Sequence, residues 1–193
     1  MSSTVLYMSM SLDGFVAGPN EGPDNGLGDG GHRLHEWTGG IGDAEQLDGV
    51  DREVLDDSLS TGAVLAGRGT FEPAGGWDGD HHDGVPIFIL SRHQPGPRYA
   101  KWPNVTYLSD LKDAVRRAKE AAGEKNVLVH GVGTAQGCLL AGLLDEIQIH
   151  LVPVLLGEGR RLFEHLGADH IELETIQVIR GREATHLRYR VRR

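Results

Sequence analysis

The stretch from Val127 to Gly159 constrains the fold more than any other part of this 193-residue chain. Val127-Leu-Val-His130 is a short apolar run and Gly131-Val-Gly133 a turn. An apolar segment of helical length follows, then Ile147-Gln-Ile-His-Leu-Val-Pro-Val154 and a glycine loop through Gly157 and Gly159. A strand that leads through a helix into another strand requires a sheet whose strands mostly run parallel. The turn matters separately. Gly131 and Gly133 let backbone come close to a ligand, and the amides opening the next helix point at the same place, which suits a phosphate. Nucleotide binding is therefore the first expectation, although neither G-x-G-x-x-G nor a Walker lysine is present.

The flanking sequence extends the same pattern. Thr4–Met10, Ala63–Ala66, Val85–Leu90 and Asn104–Leu108 are short, apolar and β-prone, which predicts buried strands. Asp110–Ala122 is amphipathic, with Leu111, Ala114, Val115 and Ala118 inward and Gly123 as its stop. Ala44–Leu59 reads as a helix with Leu47, Val50, Val54 and Leu55 on one side and a solvated acidic face, Asp51 included. Ile171–Ile179 and Ala184–Val191 read as two antiparallel strands, and the alternation in the second suits either a dimer interface or a charge-guarded edge. Between them, Glu21–Asp43 is rich in Gly and Asp and lacks periodicity. Such a loop reads as a lid, and Trp37 in its middle is a candidate to close on an apolar substrate. The expected architecture is one α/β domain over residues 1–193, with a mainly parallel sheet, antiparallel C-terminal strands and helices on both faces.

Charge and cysteine content narrow the function. A net charge of −9 argues against a nucleic-acid binder, which would need a basic patch. A single cysteine, Cys138, forbids an intramolecular disulfide and sits on an apolar helix, where a core role outweighs a nucleophilic one. No apolar run reaches a membrane span and no signal-like leader opens the chain, so a cytoplasmic protein without a membrane partner is expected. Asp78-Gly-Asp-His-His-Asp83 invites a metal reading. Adjacent histidines point apart in an extended chain and no spaced partner follows, so no metal is expected.

Ligands of open parallel sheets bind beyond the carboxyl ends of the strands. Three turns fall there. Gly131, Val132, Gly133, Thr134 and Ala135 offer amides and a hydroxyl. Gly67-Arg68-Gly69-Thr70 offers a guanidinium, with Thr70 as a possible helix cap. Ser91-Arg92 offers a hydroxyl and a second guanidinium. Arginine's planar fork matches phosphate oxygens. Each turn alone has an ordinary structural use; their joint placement points to a dinucleotide with an extra ribose phosphate.

Ser9-Met-Ser-Leu-Asp-Gly-Phe-Val-Ala17, Leu65-Ala-Gly-Arg-Gly-Thr-Phe-Glu72, Phe88-Ile-Leu-Ser-Arg92 and Leu143–Gly159 together resemble the reductase (C-terminal) domain of bifunctional riboflavin-biosynthesis proteins, within the dihydrofolate-reductase-like superfamily. The likeness runs from Val5 to about Val191. It implies a twisted three-layer α/β fold, NADPH as cofactor, a homodimer and a reductase acting on a small molecule. It also implies that Arg68, Thr70, Ser91 and Arg92 hold the adenosine-side phosphates and that Gly131, Gly133, Thr134 and Ala135 hold the pyrophosphate. Val16, Ala17 and Gly18 would lie along the nicotinamide, and Leu156-Gly157 would close the cleft. No zinc-dependent deaminase signature accompanies it.

Reduction by a nicotinamide cofactor asks the protein mainly for positioning and dryness, with a proton donor for the reduced atom. Asp13, at the turn leaving the first strand, is the first candidate donor, although Asp-Gly is also a favoured turn pair. Glu36, beside Trp37, is the second. A C=N or C=O carbon of a small heterocycle is the expected acceptor. The alternative is a nucleotide- or phosphosugar-binding module without catalysis.

Overall fold

The computed structural model describes residues 2–22, 25–39, 47, 49–167 and 169–192. Among the described residues, ten strands and four α-helices follow in the order β1 (Thr4–Ser11), β2 (Phe15–Ala17), α1 (Gly49–Leu59), β3 (Ala63–Gly67), α2 (Arg68–Phe71), β4 (Ile87–Leu90), β5 (Val105–Leu108), α3 (Leu111–Ala122), β6 (Val127–His130), α4 (Val132–Leu140), β7 (Glu146–Val152), β8 (Arg160–Arg161), β9 (Leu173–Arg180) and β10 (Thr185–Val191). Eight of the strands form one sheet in the order β5-β4-β3-β6-β1-β7-β10-β9. All pairs from β5 to β7 are parallel, and β10 is antiparallel to both β7 and β9. β2 and β8 form a separate antiparallel pair.

Strand alternation sorts side chains to the two faces. Leu6 and Met8 of β1 and Val127 and Val129 of β6 face α3 and α4, where Ala114, Val115, Ala118, Ala135 and Cys138 complete a core. Tyr7 and Leu128 face the other way, toward the α1 and α2 side. Small alanines let α3 lie close on the sheet, and the Asp110 carboxylate caps its start by accepting from the Asp113 amide at 2.8 Å. Fully burying each large aliphatic side chain contributes about 1.5–3 kcal/mol. Among the described residues no helix is long and apolar enough to cross a membrane.

The second face departs from the sequence reading in instructive ways. The described part of the first helix is Gly49–Leu59; residues 44–46 and 48 of the expected span lie outside the described residues. Val50 is 42% exposed rather than inward. Asp51, expected on the solvated face, is buried because it accepts from the Arg182 amide at 3.0 Å and lies 2.8 Å from His186 Nε2. The stretch expected to be an irregular lid contains a 3-10 segment, Gly31–Thr38. Its Leu34 and Trp37 are buried against Val54, Leu55 and Val152. Thr70 does not cap α2; it sits within it, and Gly67 holds the cap position. β10 is an interior strand, so β9 is the edge.

Candidate functional site

The parallel strands β4, β3, β6 and β1 end side by side on one rim, and two adjoining chambers open there. The outer one, about 470 Å³, is lined by Gly67, Arg68, Gly69, Thr70, Ser91, Arg92, Gly133 and Thr134, with Leu90, His93, Ser109, Leu111 and Arg160. The inner one, about 450 Å³, is lined by Met8, Ser9, Val16, Ala17, Glu21, Asn25, Leu27, His32, His35, Trp77, His130, Gly131 and Val132, among others. Gly69, Thr70 and Arg160 belong to both walls and form a waist between them.

The outer chamber is built from turns. Among the described residues Arg92 has no ion-pair partner, and Arg68 lies 3.6 Å from Glu72 while remaining 45% exposed. The Ser91 hydroxyl donates to the His93 carbonyl and accepts from its amide, so it shapes the turn. Thr134 is 2% exposed and its hydroxyl has no hydrogen-bond partner, which is costly unless a ligand supplies one. The first turn of α4 leaves the amides of Val132, Gly133 and Thr134 without intrahelical acceptors. Ala135 differs: its amide donates to the Gly131 carbonyl at 3.0 Å and its side chain is buried. Amides, an orphaned hydroxyl and two guanidinia form a donor set suited to phosphates.

Gly131 joins this cradle to the waist. It holds φ 93° and ψ 147°, a conformation that glycine alone enters freely. A Cβ there would collide with Thr70 Oγ1 and come 3.0 Å from Thr70 Cβ. The β3–α2 and β6–α4 turns therefore meet backbone against side chain.

The inner chamber is mostly apolar, with imidazoles on one wall. His130 Nδ1 lies 2.9 Å from the Tyr7 carbonyl, and burial lowers its pKa. Burial and the neighbouring imidazoles bring His35 down to about 4. His81 stacks edge-on against Trp77 and His130, and burial takes it to about 3. Its Nδ1 lies 2.8 Å from that of His82, so these neighbours turn toward each other instead of apart. Beneath the floor, Trp37 Nε1 donates to Ser9 Oγ at 2.8 Å, and the Trp37 ring packs on His150 and His186. His186 bridges Asp51 and His150 through contacts of 2.8 Å each.

Several expected site residues lie elsewhere. Trp37 is 1% exposed in the core and is absent from the chamber wall, because its indole N–H is taken by Ser9. Glu36 points outward and pairs with Arg33 at 3.3 Å. The Asp13 carboxylate accepts from the Ser11 hydroxyl and the Leu156 and Gly157 amides, at 2.6, 3.1 and 2.7 Å. These bonds, the Ser11 one foremost, lower its pKa to about 2, which makes it a poor proton donor. Leu156 and Gly157 thus hold Asp13 and line neither chamber, and Gly18, whose amide donates to the Leu27 carbonyl, lines neither. His35, Trp77, Glu21 and Arg160 are wall residues that no sequence motif announced.

The RibD C-terminal domain family matches residues 3–187. None of the curated proteins is similar enough in sequence to match. Among solved structures, a riboflavin biosynthesis protein from Shewanella sp. PV-4 has a TM-score of 0.73 at 23% identity, covering 99% of each chain. RibD of Acinetobacter baumannii has a TM-score of 0.67 at 18% identity; the match covers 100% of this chain and 59% of that one. A diaminohydroxyphosphoribosylaminopyrimidine deaminase/5-amino-6-(5-phosphoribosylamino)uracil reductase from Thermotoga maritima has a TM-score of 0.61 at 14% identity, over 98% of this chain and 56% of that one. Structural similarity at these identities speaks for the fold. The match along nearly the whole sequence speaks for descent, and the chain belongs to the RibD C-terminal domain family, a family of reductases.

Proposed function

We propose that this protein is an NADPH-dependent reductase of a small heterocyclic substrate. The observation that carries the reading is the adjacency of the two chambers: phosphate donors line one, apolar and imidazole groups line the other, and Gly69, Thr70 and Arg160 line both. In this reading Arg68 and Arg92 hold the 2′-phosphate end, and the first turn of α4 with the Thr134 hydroxyl holds the pyrophosphate. Val16, Ala17 and Val132 form the wall against which the nicotinamide lies. When bound, the cofactor supplies a hydride for a C=N or C=O carbon. The chain's own part is to orient that carbon and to shield the path of the hydride from bulk water. With Asp13 locked to amides, water delivers the proton to the reduced nitrogen or oxygen. A cytoplasmic homodimer completes the proposal, with the exposed Ile176 and Val178 of edge strand β9 meeting a second copy.

Calorimetry with NADPH, NADP⁺ and NAD⁺ tests the cofactor, and loss of absorbance at 340 nm with pyrimidines, pteridines and carbonyl compounds tests turnover. Arg92→Ala is expected to weaken NADP⁺ roughly tenfold or more and NAD⁺ little, the size of about 1.5–3 kcal/mol for one charge-assisted contact. Equal losses would remove the 2′-phosphate assignment. Binding without turnover of any compound would favour a non-catalytic nucleotide module.

A further inference from the structure

We infer that the inner chamber selects an uncharged planar heterocycle or its nucleoside and rejects the corresponding phosphate ester. This rests on the reductase reading and specifies its substrate. The Thermotoga relative is named for a phosphoribosyl-bearing uracil, so the charge of the wall is decisive. Among the described residues only one Lys or Arg side chain lines the chamber, Arg160. Its Nε lies 2.6 Å from a carboxylate oxygen of Glu21, which lines the same wall. The pair is neutral as a unit and leaves no surplus positive charge.

The remaining basic groups on the wall are imidazoles. His130 and His35 are driven toward the neutral form by burial. His32, also on the wall, is exposed. A phosphate dianion in this chamber would lose water without gaining a counter-charge, which buried sites do not tolerate. A planar neutral ring loses little. Trp77 and the imidazoles on the wall are aromatic partners for it, and Ser9 Oγ, which accepts from Trp37, keeps its own proton to donate. The guanidinia of the outer chamber cannot substitute once the dinucleotide occupies them.

The test uses the full chain saturated with NADP⁺, so that the outer chamber is filled. Calorimetry compares 5-amino-6-(ribosylamino)uracil with its 5′-phosphate, and uridine with uridine 5′-monophosphate. The nucleosides are expected to bind at least tenfold more tightly than the esters. Glu21→Gln frees Arg160 and is expected to bring the ester at least tenfold closer to its nucleoside; circular dichroism and retained NADP⁺ binding show that the variant is folded. Equal or tighter binding of the esters by the unaltered protein overturns the inference, as does failure of all four compounds to bind at millimolar concentration. So does a Glu21→Gln variant that leaves the ratio unchanged. Failure of NADP⁺ itself to bind would instead defeat the cofactor reading.

Discussion

Acid should loosen this protein well before its carboxylates titrate. His35 and His81 sit against the inner chamber with pKa values of about 4 and about 3, whereas a histidine in the unfolded chain titrates near ~6.5. Each is neutral in both states above that value and contributes no pH dependence there. As pH falls through it, the unfolded chain takes up protons that the folded chain refuses, so stability is lost progressively from about pH 6.5 downward. Between pH 7.5 and 5.0 each of the two contributes roughly 2 kcal/mol of loss by this linkage, about 4 kcal/mol together. His130 and His150, also lowered by burial, act with the same sign. Asp13, held at about 2, defends stability above its unfolded value and loses that contribution only as pH falls through the range below about 4. Glu21, raised chiefly by desolvation, works in the opposite direction at the acid end. Against a total stability of about 5–15 kcal/mol, a loss near 4 is large. Urea titrations followed by tryptophan fluorescence at pH 7.5, 6.0 and 5.0 should show a falling midpoint at constant m. Thermal scans should show a Tm drop of roughly 8–16 °C. His35→Gln should remove about half of the loss assigned to this pair. A midpoint that stays flat from pH 7.5 to 5.0 would refute the picture of neutral imidazoles buried at the chamber.

Two further perturbations probe the rim and the floor. Gly131→Ala adds strain of about 1–3 kcal/mol for a left-handed backbone angle and a clash of similar size with Thr70. Its cost should be roughly 2–6 kcal/mol in urea titration, and Thr70→Gly in the same chain should recover only the clash; a cost under 0.5 kcal/mol, roughly a null result, would disprove the close approach. Trp37→Phe removes the hydrogen bond to Ser9 and some packing, about 1–3 kcal/mol of stability. The KM of any substrate should move less than about threefold, and a large KM change at unaltered stability would return Trp37 to a direct substrate role.

The sheet was readable because its strands are short and apolar between glycine turns. The pairing that places Val5 and Leu6 beside Leu128 and Val129 follows from that pattern. The outer chamber was readable for the same reason: its donors belong to the turns themselves, within a few residues of a strand end. The inner chamber was not. Glu21 and His35 lie between β2 and α1, Trp77 between α2 and β4, and Arg160 on β8, and the β2–β8 pairing and the 3-10 segment help to bring them together. Trp37 and Asp51 were misread for one physical cause. A tryptophan in a glycine-rich loop and an aspartate in an acidic helix resemble surface residues until their partners, Ser9 and His186, arrive from distant strands.

The waist formed by Gly69, Thr70 and Arg160 has a kinetic meaning. In the proposed reading a dinucleotide threaded through it ceases to be merely a ligand and becomes the partition that completes the inner room. The second reactant then finds its full enclosure only after the first has entered, and its product must depart before the oxidised dinucleotide can be withdrawn. Turnover would be sequential and ordered, with the dinucleotide first in and last out. The wall shared by the two rooms would set that order without any moving part.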